Sequence, residues 1–496
     1  MLEVRRARRG GGNVPGANPR DQESPRGCSE QVDAVNTQGA GVEAAARRHR
    51  VVIIGSGFGG LSAAQALAKS DVDVTLVAKT GHHLFQPLLY QVATGILSVG
   101  EIAPSTRLIL REHKNITVTL GEVDRIDVRT RNVHAVAGHI DFDLPYDTLI
   151  VAAGANQSYF GNDHFERYAP GMKTIDDALE LRGRILGSFE LAELTEDEEE
   201  RRRLLTFIVV GAGPTGVEMV GQIGELAHRT LKNSYRRIDP GQARIILIDA
   251  APAVLPPFGE RLGQAARSRL EQLGVEVHLN AMVTDVDSKG IEVKDADGTV
   301  RRINAACKIW SAGVQASPLG AMLADQTAAE VDRAGRVLVN KDLSLPGHPE
   351  IFVLGDMMSL DGLPGVSPVA IQGGKYVAKQ VDREVEGKQT PSERVPFTYF
   401  DKGSMATVSR YSAVVKIGRF ELHGFIAWVM WLLVHLAFLI GFRNRLAALF
   451  SWGMHILGDK RSHLSATSRF VYGRRALDRV YGGSIVSSLE ESPPEG

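Results

Sequence analysis

Two glycine-rich loops constrain the fold of this chain more than any other feature of its sequence. Each follows a short run of apolar, mostly β-branched residues and opens a helical stretch, the first at Gly55–Gly60 and the second at Gly211–Gly216. In such a loop the first glycine permits a tight turn, the second lets the backbone approach a pyrophosphate, and the third lets helix and strand pack closely. The loops begin 156 residues apart (211 − 55). The sequence therefore predicts an α/β fold with two Rossmann-like dinucleotide-binding domains.

The second loop carries every element of the NAD(H)-binding fingerprint. Its strand, Phe207–Val210, leads into "GAGPTG", and the following strand in "ARIILIDA" ends in Asp249. A carboxylate at this position accepts hydrogen bonds from the ribose hydroxyls and repels a 2′-phosphate. We therefore expect NADH rather than NADPH here. The expected contacts are Gly211, Gly213, Gly216 and Asp249.

The first loop departs from the fingerprint at one position. The strand Val51–Ile54 and the loop "GSGFGG" are present, but the next strand ends in Val77-Ala78-Lys79 without an acid. Contacts to the adenosine of the first nucleotide therefore stay open, and Lys79 can reach a phosphate or lie over the adenine. The predicted pyrophosphate cradle consists of Gly55, Ser56, Gly57, Phe58, Gly59 and Gly60.

A third element lies far downstream in "EIFVLGD", an apolar strand that ends in Gly355 and Asp356. A carboxylate at the end of a strand can bind the ribitol of a flavin whose pyrophosphate lies on the first loop. This arrangement requires the first domain to be interrupted by the second. A tandem duplication of one dehydrogenase domain is the alternative, and it leaves the third element without a role.

Composition narrows the classes of function. The chain has 496 residues, a formal net charge of −1 and two cysteines, Cys28 and Cys307, far apart in sequence. These numbers exclude a disulfide framework and a Cys-x-x-Cys metal or redox site, and the balanced charge gives no reason to expect nucleic-acid binding. Residues 1–48 are rich in Arg, Gly, Pro and Ser, which predicts a disordered leader without the apolar region of a signal peptide.

These motifs resemble those of the two-dinucleotide-binding-domain flavoproteins, and within them the chain is most similar to type II NADH dehydrogenase. The resemblance runs from about His49 to Ser465 and includes "GSGFGGLSAA", "HHLFQPLLYQVATG", "YDTLIVAAGA", "VGAGPTGVEMVG", "IWSAGV", "FVLGD", "AIQGGKYVA", "KGSMAT" and "GFIAWVMWLLVHLAFLIGFRNR". It implies a non-proton-pumping NADH:quinone oxidoreductase with non-covalent FAD, NADH as substrate, and menaquinone or ubiquinone as acceptor. It also allows a homodimer and implies attachment to the cytoplasmic face of the inner membrane.

Other flavoproteins of this superfamily relay electrons through cysteines near the flavin, and residues 82–104 contain none. Thiol chemistry is therefore excluded, and hydride transfer from NADH to flavin and then directly to the acceptor remains. Two rival functions stay open. One is a flavoprotein that binds NADH to sense redox state or to dock a partner. The other is an NADH-dependent reductase of a soluble acceptor, which leaves the apolar C-terminal run unexplained.

The family resemblance implies further cofactor contacts. Gln86 and Pro87 are expected against the isoalloxazine, and the loop at Ala312 and Gly313 is expected to line the NADH cleft. The remaining FAD contacts implied are Val123, Ala153, Gly154, Gly355, Asp356, Ala370 and Ile371.

Two side chains are candidates for the reaction itself. Glu218 lies in the first turns of the helix after the second loop, where it either stabilises the helix dipole or, by resemblance, gates nicotinamide and quinone beside the flavin. Gln372 matches the second glutamine of the family's Ala-Gln-x-x-x-Gln quinone pattern. Ser367 and Pro368 stand in place of the first pair and predict an N-cap and first position of a helix that points at the flavin. The two glycines after Gln372 are expected to leave space for the acceptor.

The C-terminal region predicts contact with a membrane. Gly424–Phe442 contains 19 residues without Asp, Glu, Lys or Arg, and a single helix of that length would extend about 28 Å, close to the hydrocarbon thickness. Residues 401–475 hold 11 Lys plus Arg against 3 Asp plus Glu, which suits an anionic lipid surface. We expect monotopic attachment with the acceptor entering from the lipid, ahead of a spanning helix or a buried core helix.

These inferences divide the chain into regions. The boundaries expected are 1–48 for the leader, 49–170 and 325–400 for the two parts of the FAD-binding domain, 171–324 for the NADH-binding domain, and 401–496 for a membrane-associating region with a disordered tail.

Overall fold

The computed structural model describes residues 47–465, of which 48–465 belong to one compact unit. The predicted leader, apart from Arg47 and Arg48, and the predicted C-terminal tail lie outside the described residues.

The described strands are β1 (His49–Ile54), β2 (Val72–Ala78), β3 (Ile116–Leu120), β4 (Glu122–Asp127), β5 (Asn132–Ala137), β6 (Ile140–Pro145), β7 (Thr148–Val151), β8 (Ala155–Gln157), β9 (Thr206–Val210), β10 (Arg244–Ile248), β11 (Val275–His278), β12 (Met282–Val286), β13 (Gly290–Lys294), β14 (Val300–Asn304), β15 (Cys307–Trp310), β16 (Val314–Ala316), β17 (Val337–Leu338), β18 (Ser344–Leu345), β19 (His348–Val353), β20 (Met358–Ser359), β21 (Ser404–Ser409), β22 (Ser412–Ile417) and β23 (Phe420–Gly424). The α-helices are α1 (Phe58–Ala66), α2 (Leu89–Ala93), α3 (Val99–Ile102), α4 (Thr106–Leu110), α5 (Ile175–Leu194), α6 (Glu198–Leu204), α7 (Pro214–Glu225), α8 (Glu260–Gln272), α9 (Leu319–Gln326), α10 (Ser367–Val385), α11 (Phe425–Phe438) and α12 (Phe442–Gly458).

The first glycine loop follows an inner strand of a six-stranded sheet whose order is β18-β19-β7-β1-β2-β3. Parallel neighbours flank β1 on both sides, which explains its continuous apolar run. β19 pairs in parallel with β7, with Ile351 opposite Leu149, although it begins 197 residues after β7 ends (348 − 151). The predicted α/β class, with its first domain interrupted by its second, is confirmed, and two consecutive duplicated domains are excluded.

The second glycine loop follows β9 in a parallel sheet of order β11-β10-β9-β15. All five residues of β9 are buried, as expected for an inner parallel strand. β8 comes soon after β7 and β16 soon after β15, and these two short strands pair antiparallel. Their pairing connects the carboxyl ends of the two parallel sheets, where both loops lie.

The predicted 19-residue apolar helix is broken in the structure. α11 ends at Phe438 and α12 begins at Phe442, after Gly441 at a positive φ of 91°. Arg445 of α12 closes the end of α11, because its Nε donates to the carbonyl of Leu439 at 2.7 Å, a favourable contact at a helix C-terminus. No helix within residues 47–465 is both long and apolar enough to cross a membrane.

The alternative of a buried core helix is wrong, because α11 and α12 expose large apolar side chains. Ile426 and Leu433 of α11 are 66% and 59% exposed, and Phe450 and Leu457 of α12 are 71% and 89% exposed. Trp431, on another face of α11, is buried against the body of the protein. Each helix therefore has one face in the core and one face without cover from the described residues.

Candidate active site

The first glycine loop has the geometry of a nucleotide cradle. Gly55 takes a positive φ of 101°, and a Cβ at this position would lie 2.4 Å from the carbonyl oxygen of Ala152. A Cβ at Gly60 would lie 1.9 Å from the carbonyl oxygen of Gly55, whereas a Cβ at Gly57 would meet nothing within 4 Å. The first and third glycines permit close backbone packing, and the second borders open space that a pyrophosphate can enter.

Two adjacent histidines hold this loop, and sequence reasoning missed them. Ser56 Oγ donates to the carbonyl of His82 at 3.1 Å, and Nδ1 of His83 donates to the carbonyl of Ser56 at 2.8 Å. Burial lowers the pKa of His83 below its ordinary value, so its ring is neutral with the hydrogen on Nδ1. Phe58, at the start of α1, stands edge-on to His83 with ring centroids 5.1 Å apart.

Asp356 follows β19 and carries a half-buried carboxylate at the edge of the first sheet. Burial raises the pKa of Asp356, and the positive charges of Lys173 and Arg336 oppose that rise. None of the residues 47–465 donates a hydrogen bond to this carboxylate within hydrogen-bonding distance. Its oxygens are therefore free to accept from hydroxyl groups, as a ribitol chain requires. Lys173 carries no local signal in the sequence, since it reaches Asp356 only through the fold.

Other predicted FAD residues gather at the same edge. Ala153 and Gly154 follow β7, the strand beside β1, and Gly355 follows β19, the next strand in the sheet. Gly154 and Gly355 both have a φ of +71°, which lets the chain turn away from the sheet directly after its strand. The carboxyl ends of three adjacent parallel strands thus meet at the first cradle, as in other open α/β sheets.

The remaining predicted FAD contacts are spread more widely. Lys79 is exposed directly after β2, and Gln86 and Pro87 open a short 3-10 turn that ends at Leu88, just before α2. Val123 of β4 is half-buried and packs against the core of the first sheet.

α10 begins one residue earlier than a Ser367 cap requires. Ser367 is itself the first helical residue, and Val366, which has no side-chain acceptor, occupies the N-cap position. The buried Ala370 donates its N–H to the carbonyl of Val366 at 3.3 Å, so any contact of this N–H with a flavin would be shared. Ile371 is half-buried beside it.

The expectation that the glycines after Gln372 leave space for an acceptor is wrong. A Cβ at Gly374 would lie 2.3 Å from the carbonyl oxygen of Gly59 in α1, and one at Gly373 would lie 3.4 Å from Leu343 Cδ1. These glycines therefore let α10 pack closely on α1 and on the sheet.

Gln372 itself is bound at both ends of its amide. Its Nε2 donates to the carbonyl of Phe400 at 2.9 Å, and its Oε1 accepts from the N–H of Phe400 at 3.0 Å. The amide of Gln372 thus makes the same pair of hydrogen bonds to Phe400 that an adjacent β-strand would make. It fixes the segment that leads into β21.

Glu218 lies beyond the first turn of α7, which contains no acidic residue. The helix-dipole interpretation is therefore wrong, because that interaction falls off within the first turn. Glu218 is buried, and its Oε1 accepts from the backbone N–H of Thr407 in β21 at 3.3 Å. Burial raises the pKa of Glu218 well above its ordinary value, against the opposing effect of the Thr407 hydrogen bond. The group is suited to hold a proton inside the protein.

The second glycine loop repeats the geometry of the first. Gly211 has a φ of +111°, and a Cβ there would lie 2.7 Å from the backbone nitrogen of Ala312. A Cβ at Gly216 would lie 1.8 Å from the carbonyl oxygen of Gly211, and one at Gly213 would meet nothing within 4 Å. The structure therefore contains a second open cradle at the N-terminus of α7.

Asp249 connects the end of β10 to this second loop. Its Oδ2 accepts from the N–H of Ala212 at 2.5 Å, and its Oδ1 accepts from the N–H of Ala251 at 2.7 Å. Each carboxylate oxygen keeps a further lone pair for a ribose hydroxyl.

The loop at Ala312 and Gly313 lies between the two sheets. Gln157, which follows β7, donates through Nε2 to the carbonyl of Ala312 at 2.5 Å and to that of Gly313 at 2.7 Å. Gly313 has a φ of +76°, and a Cβ there would lie 2.7 Å from Phe160 Cζ. Gln157 of β8, which sequence reasoning missed, therefore ties this loop to the segment that follows β7.

This fold, with two open cradles on adjacent parallel sheets, defines a two-nucleotide flavoprotein oxidoreductase. The pyridine nucleotide-disulphide oxidoreductase family matches residues 49–374. The type II NADH:quinone oxidoreductase Ndh of Mycobacterium tuberculosis is 62% identical over 435 residues, which cover 88% of this chain and 94% of that protein. The chain belongs to the type II NADH:quinone oxidoreductases, and its cofactor is FAD.

Solved structures share the fold. NDH2 from Plasmodium falciparum in complex with NADH has a TM-score of 0.76 at 20% identity, over 84% of this chain and 99% of that one. The sulfide:quinone oxidoreductase of Aquifex aeolicus has a TM-score of 0.62 at 17% identity, over 83% of this chain and 95% of that one. The open space at Gly57 and the available carboxylate of Asp356 fit the pyrophosphate and ribitol of FAD.

Proposed function

We propose that this chain oxidises NADH and reduces a membrane quinone, menaquinone or ubiquinone, through non-covalently bound FAD and without pumping protons. The observation that carries the proposal is the pair of open cradles, at Gly57 and Gly213, on two sheets connected at their carboxyl ends. Bound FAD supplies the hydride-accepting chemistry, and the protein supplies position and electrostatics. In overall balance, NADH, quinone and one proton give NAD⁺ and quinol.

We assign FAD to the first cradle and NADH to the second, as predicted from the sequence. Asp249 would hold the adenosine ribose of NADH, and Gln157 would keep the loop at Ala312 and Gly313 close to the nicotinamide. Asp356 would hold the ribitol of FAD, and the neighbouring charge of Lys173 favours its ionised form. The open cleft between the sheets then brings the two cofactors together.

On the acceptor side, the proposal gives Glu218 and Gln372 different tasks. The buried carboxyl of Glu218 would hold or release a proton beside the quinone, since burial favours its protonated form. Gln372 would position the Phe400 segment that borders the acceptor site, since both its polar atoms are bound to that backbone.

The proposal also includes peripheral attachment to lipid at the cytoplasmic face of the inner membrane. Support comes from the uncovered apolar faces of α11 and α12 beside the basic residues of the C-terminal region. Such a face inserts into the headgroup boundary of a bilayer without spanning it. The exposed apolar side chains are Phe425, Ile426, Leu433, Phe438, Phe442, Leu446, Leu449, Phe450, Met454 and Leu457.

The test is a purified preparation assayed with and without quinone. We expect FAD to be released on denaturation, and NADH oxidation to require an added menaquinone or ubiquinone analogue. A preparation that binds FAD and NADH but reduces neither quinone would favour the redox-sensor alternative. Reduction of a soluble ferredoxin in place of quinone would favour the soluble-acceptor alternative. Light scattering in detergent tests the homodimer, which stays a prediction.

A further inference from the structure

A small cavity lies between α2, α7, β21, α11 and α12, beneath the exposed apolar faces of the last two helices. Its volume is about 30 Å³, which is room for one or two water molecules. Three residues that line it have a buried polar atom without a hydrogen-bond partner among residues 47–465: Trp431 Nε1, Arg410 Nε and His455 Nδ1. An unsatisfied buried polar group costs about 1–3 kcal/mol, so three around one cavity indicate a hydrated chamber.

One wall of this chamber contains His455, whose imidazole lies beside a buried acid. His455 of α12 places Nε2 3.8 Å from Oε2 of Glu225, the last residue of α7. Glu225 also accepts from the N–H of Arg410 at 2.5 Å and from Gln222 Nε2 at 3.1 Å. Burial alone would raise the pKa of Glu225, but His455, Arg461 and the Arg410 N–H together hold it below its ordinary value. A buried carboxylate and an imidazole, two groups that can exchange protons, thus lie side by side.

The same wall lies near the surface. Arg410 Nη1 pairs with Asp459 at 2.5 Å, and the Asp459 side chain is 47% exposed. Arg461, which follows α12, is buried and donates to the carbonyls of Thr94 and Gln222 at 2.8 and 3.0 Å. Arg410, which lines the chamber, therefore connects it to a solvent-accessible acid.

The opposite wall leads toward the acceptor side. Thr407, which lines the chamber, donates its N–H to Glu218, and Tyr90 of α2 lines it as well. Gln91 Nε2 donates to Tyr90 Oη at 3.0 Å, which leaves the hydroxyl hydrogen of Tyr90 for another acceptor. Burial is the main cause that raises the pKa of Tyr90. Tyr90 can therefore pass on a hydrogen bond without ionising.

We propose that this chamber is a proton-supply site, in which His455 and Glu225 deliver a solvent proton through bound water toward Tyr90, Glu218 and the quinone. The inference deepens the proposed function and rests on it. Quinone takes up two electrons and two protons to become quinol. The hydride of NADH brings two electrons and one proton, so each turnover draws one further proton from solvent.

Several charged and titratable groups lie near His455 and can influence the pH dependence of proton transfer. Glu225 of α7 contacts its ring, Arg461 acts on Glu225, Arg410 lines the chamber and pairs with Asp459, and Tyr90 of α2 lines the same chamber. The test is His455→Gln, assayed with two acceptors: a short-chain quinone analogue, which takes up protons, and hexacyanoferrate(III), which takes electrons alone. We expect quinone turnover to fall about 100-fold and its pH profile to change, with hexacyanoferrate(III) reduction kept within about two-fold of wild type.

The matched control is His463→Gln, since His463 contacts Glu101 at 3.9 Å and does not line the chamber; it should keep both activities and the pH profile. Added imidazole should restore quinone turnover to His455→Ala, which a purely structural role would not allow. Equal losses with both acceptors, or unchanged quinone turnover and pH profile in His455→Gln, would overturn the proposal. If that variant loses FAD, Glu225→Gln undergoes the same comparison. A wild-type enzyme that reduces no quinone would instead defeat the proposed function.

Discussion

Asp249 accepts a hydrogen bond from the backbone N–H of Ala212, with 2.5 Å between Oδ2 and the nitrogen. The residue that is expected to select NADH thus also fixes the loop that would hold the pyrophosphate. Cofactor preference and cradle geometry depend on one carboxylate, and both should change when it is replaced.

Asp249→Asn should raise the KM for NADH by about 10- to 100-fold, the equivalent of about 1.5–3 kcal/mol for hydrogen bonds to a charged group. The preference for NADH over NADPH should fall as well, because the carboxylate no longer repels a 2′-phosphate. Steady-state kinetics with both nucleotides measure the two effects. Asp285→Asn, at a half-exposed acid of β12, is the control and should behave as wild type. An unchanged NADH:NADPH ratio in Asp249→Asn would contradict the assignment.

Gly57→Ala and Gly60→Ala should differ although both lie in one loop. A Cβ at position 57 meets open space and a φ of −69° tolerates alanine, so this variant should keep its apoprotein melting temperature and bind less FAD. A Cβ at position 60 meets a backbone oxygen, and the overpacking should destabilise the fold by about 1–3 kcal/mol. Thermal melting and flavin absorbance separate the outcomes; equal melting temperatures for both variants would count against the cradle geometry.

Glu218→Gln should leave flavin reduction by NADH unchanged in stopped-flow mixing and should slow quinone turnover.

The stability of the same variant gives a second measurement. The pKa of Glu218 is raised in the folded state. The protonated carboxyl therefore contributes its whole share of the free energy of unfolding at pH values below its pKa in the unfolded chain, about 4.3. That contribution is lost as pH rises through the pKa of the folded state. The wild type should therefore lose more stability than Glu218→Gln between pH 5 and pH 8, on a scale of about 1.4 kcal/mol per pH unit of difference. Parallel melting curves would argue against a buried, protonated carboxyl.

The double variant Phe450→Ser, Leu457→Ser should weaken binding to anionic liposomes. Loss of roughly 1.5 kcal/mol of apolar burial per side chain corresponds to about a ten-fold loss of affinity for each. Co-flotation with vesicles measures this, and hexacyanoferrate(III) reduction should be unaffected. Leu194→Ser on α5, where the leucine is 66% exposed, provides a control outside the C-terminal region. Equal flotation of all three proteins would exclude α11 and α12 as the lipid-binding surface.

The glycine loops and Asp249 could be predicted because their signal is local. Each loop needs a particular backbone conformation at fixed spacing, and only glycine permits it at Gly55 and Gly211. His83, Gln157 and Lys173 carry no such signal, since the groups they serve lie in other elements and the fold alone brings them together.

The errors have physical causes as well. Hydropathy alone could not detect the end of α11, because the break depends on the positive φ of Gly441 and on Arg445, which caps the helix from the next one. The sequence does not reveal which helix packs against the glycines after Gln372, so it predicts free space there. Their close approach to Gly59 depends on a strand and a helix that are separated from α10 by an entire domain.

The interrupted first sheet has a consequence for folding during synthesis on the ribosome. β7 leaves the ribosome 197 residues before β19 begins (348 − 151), which at about 5–20 residues per second is a delay of about 10–40 s. During that interval β7 presents an open, apolar edge, the kind of surface that pairs with foreign strands. The inserted nucleotide domain, whose sheet is continuous in the chain, can fold first. The exposed edge of β7 then has to be covered, by a chaperone or by the inserted domain, until β19 has been synthesised.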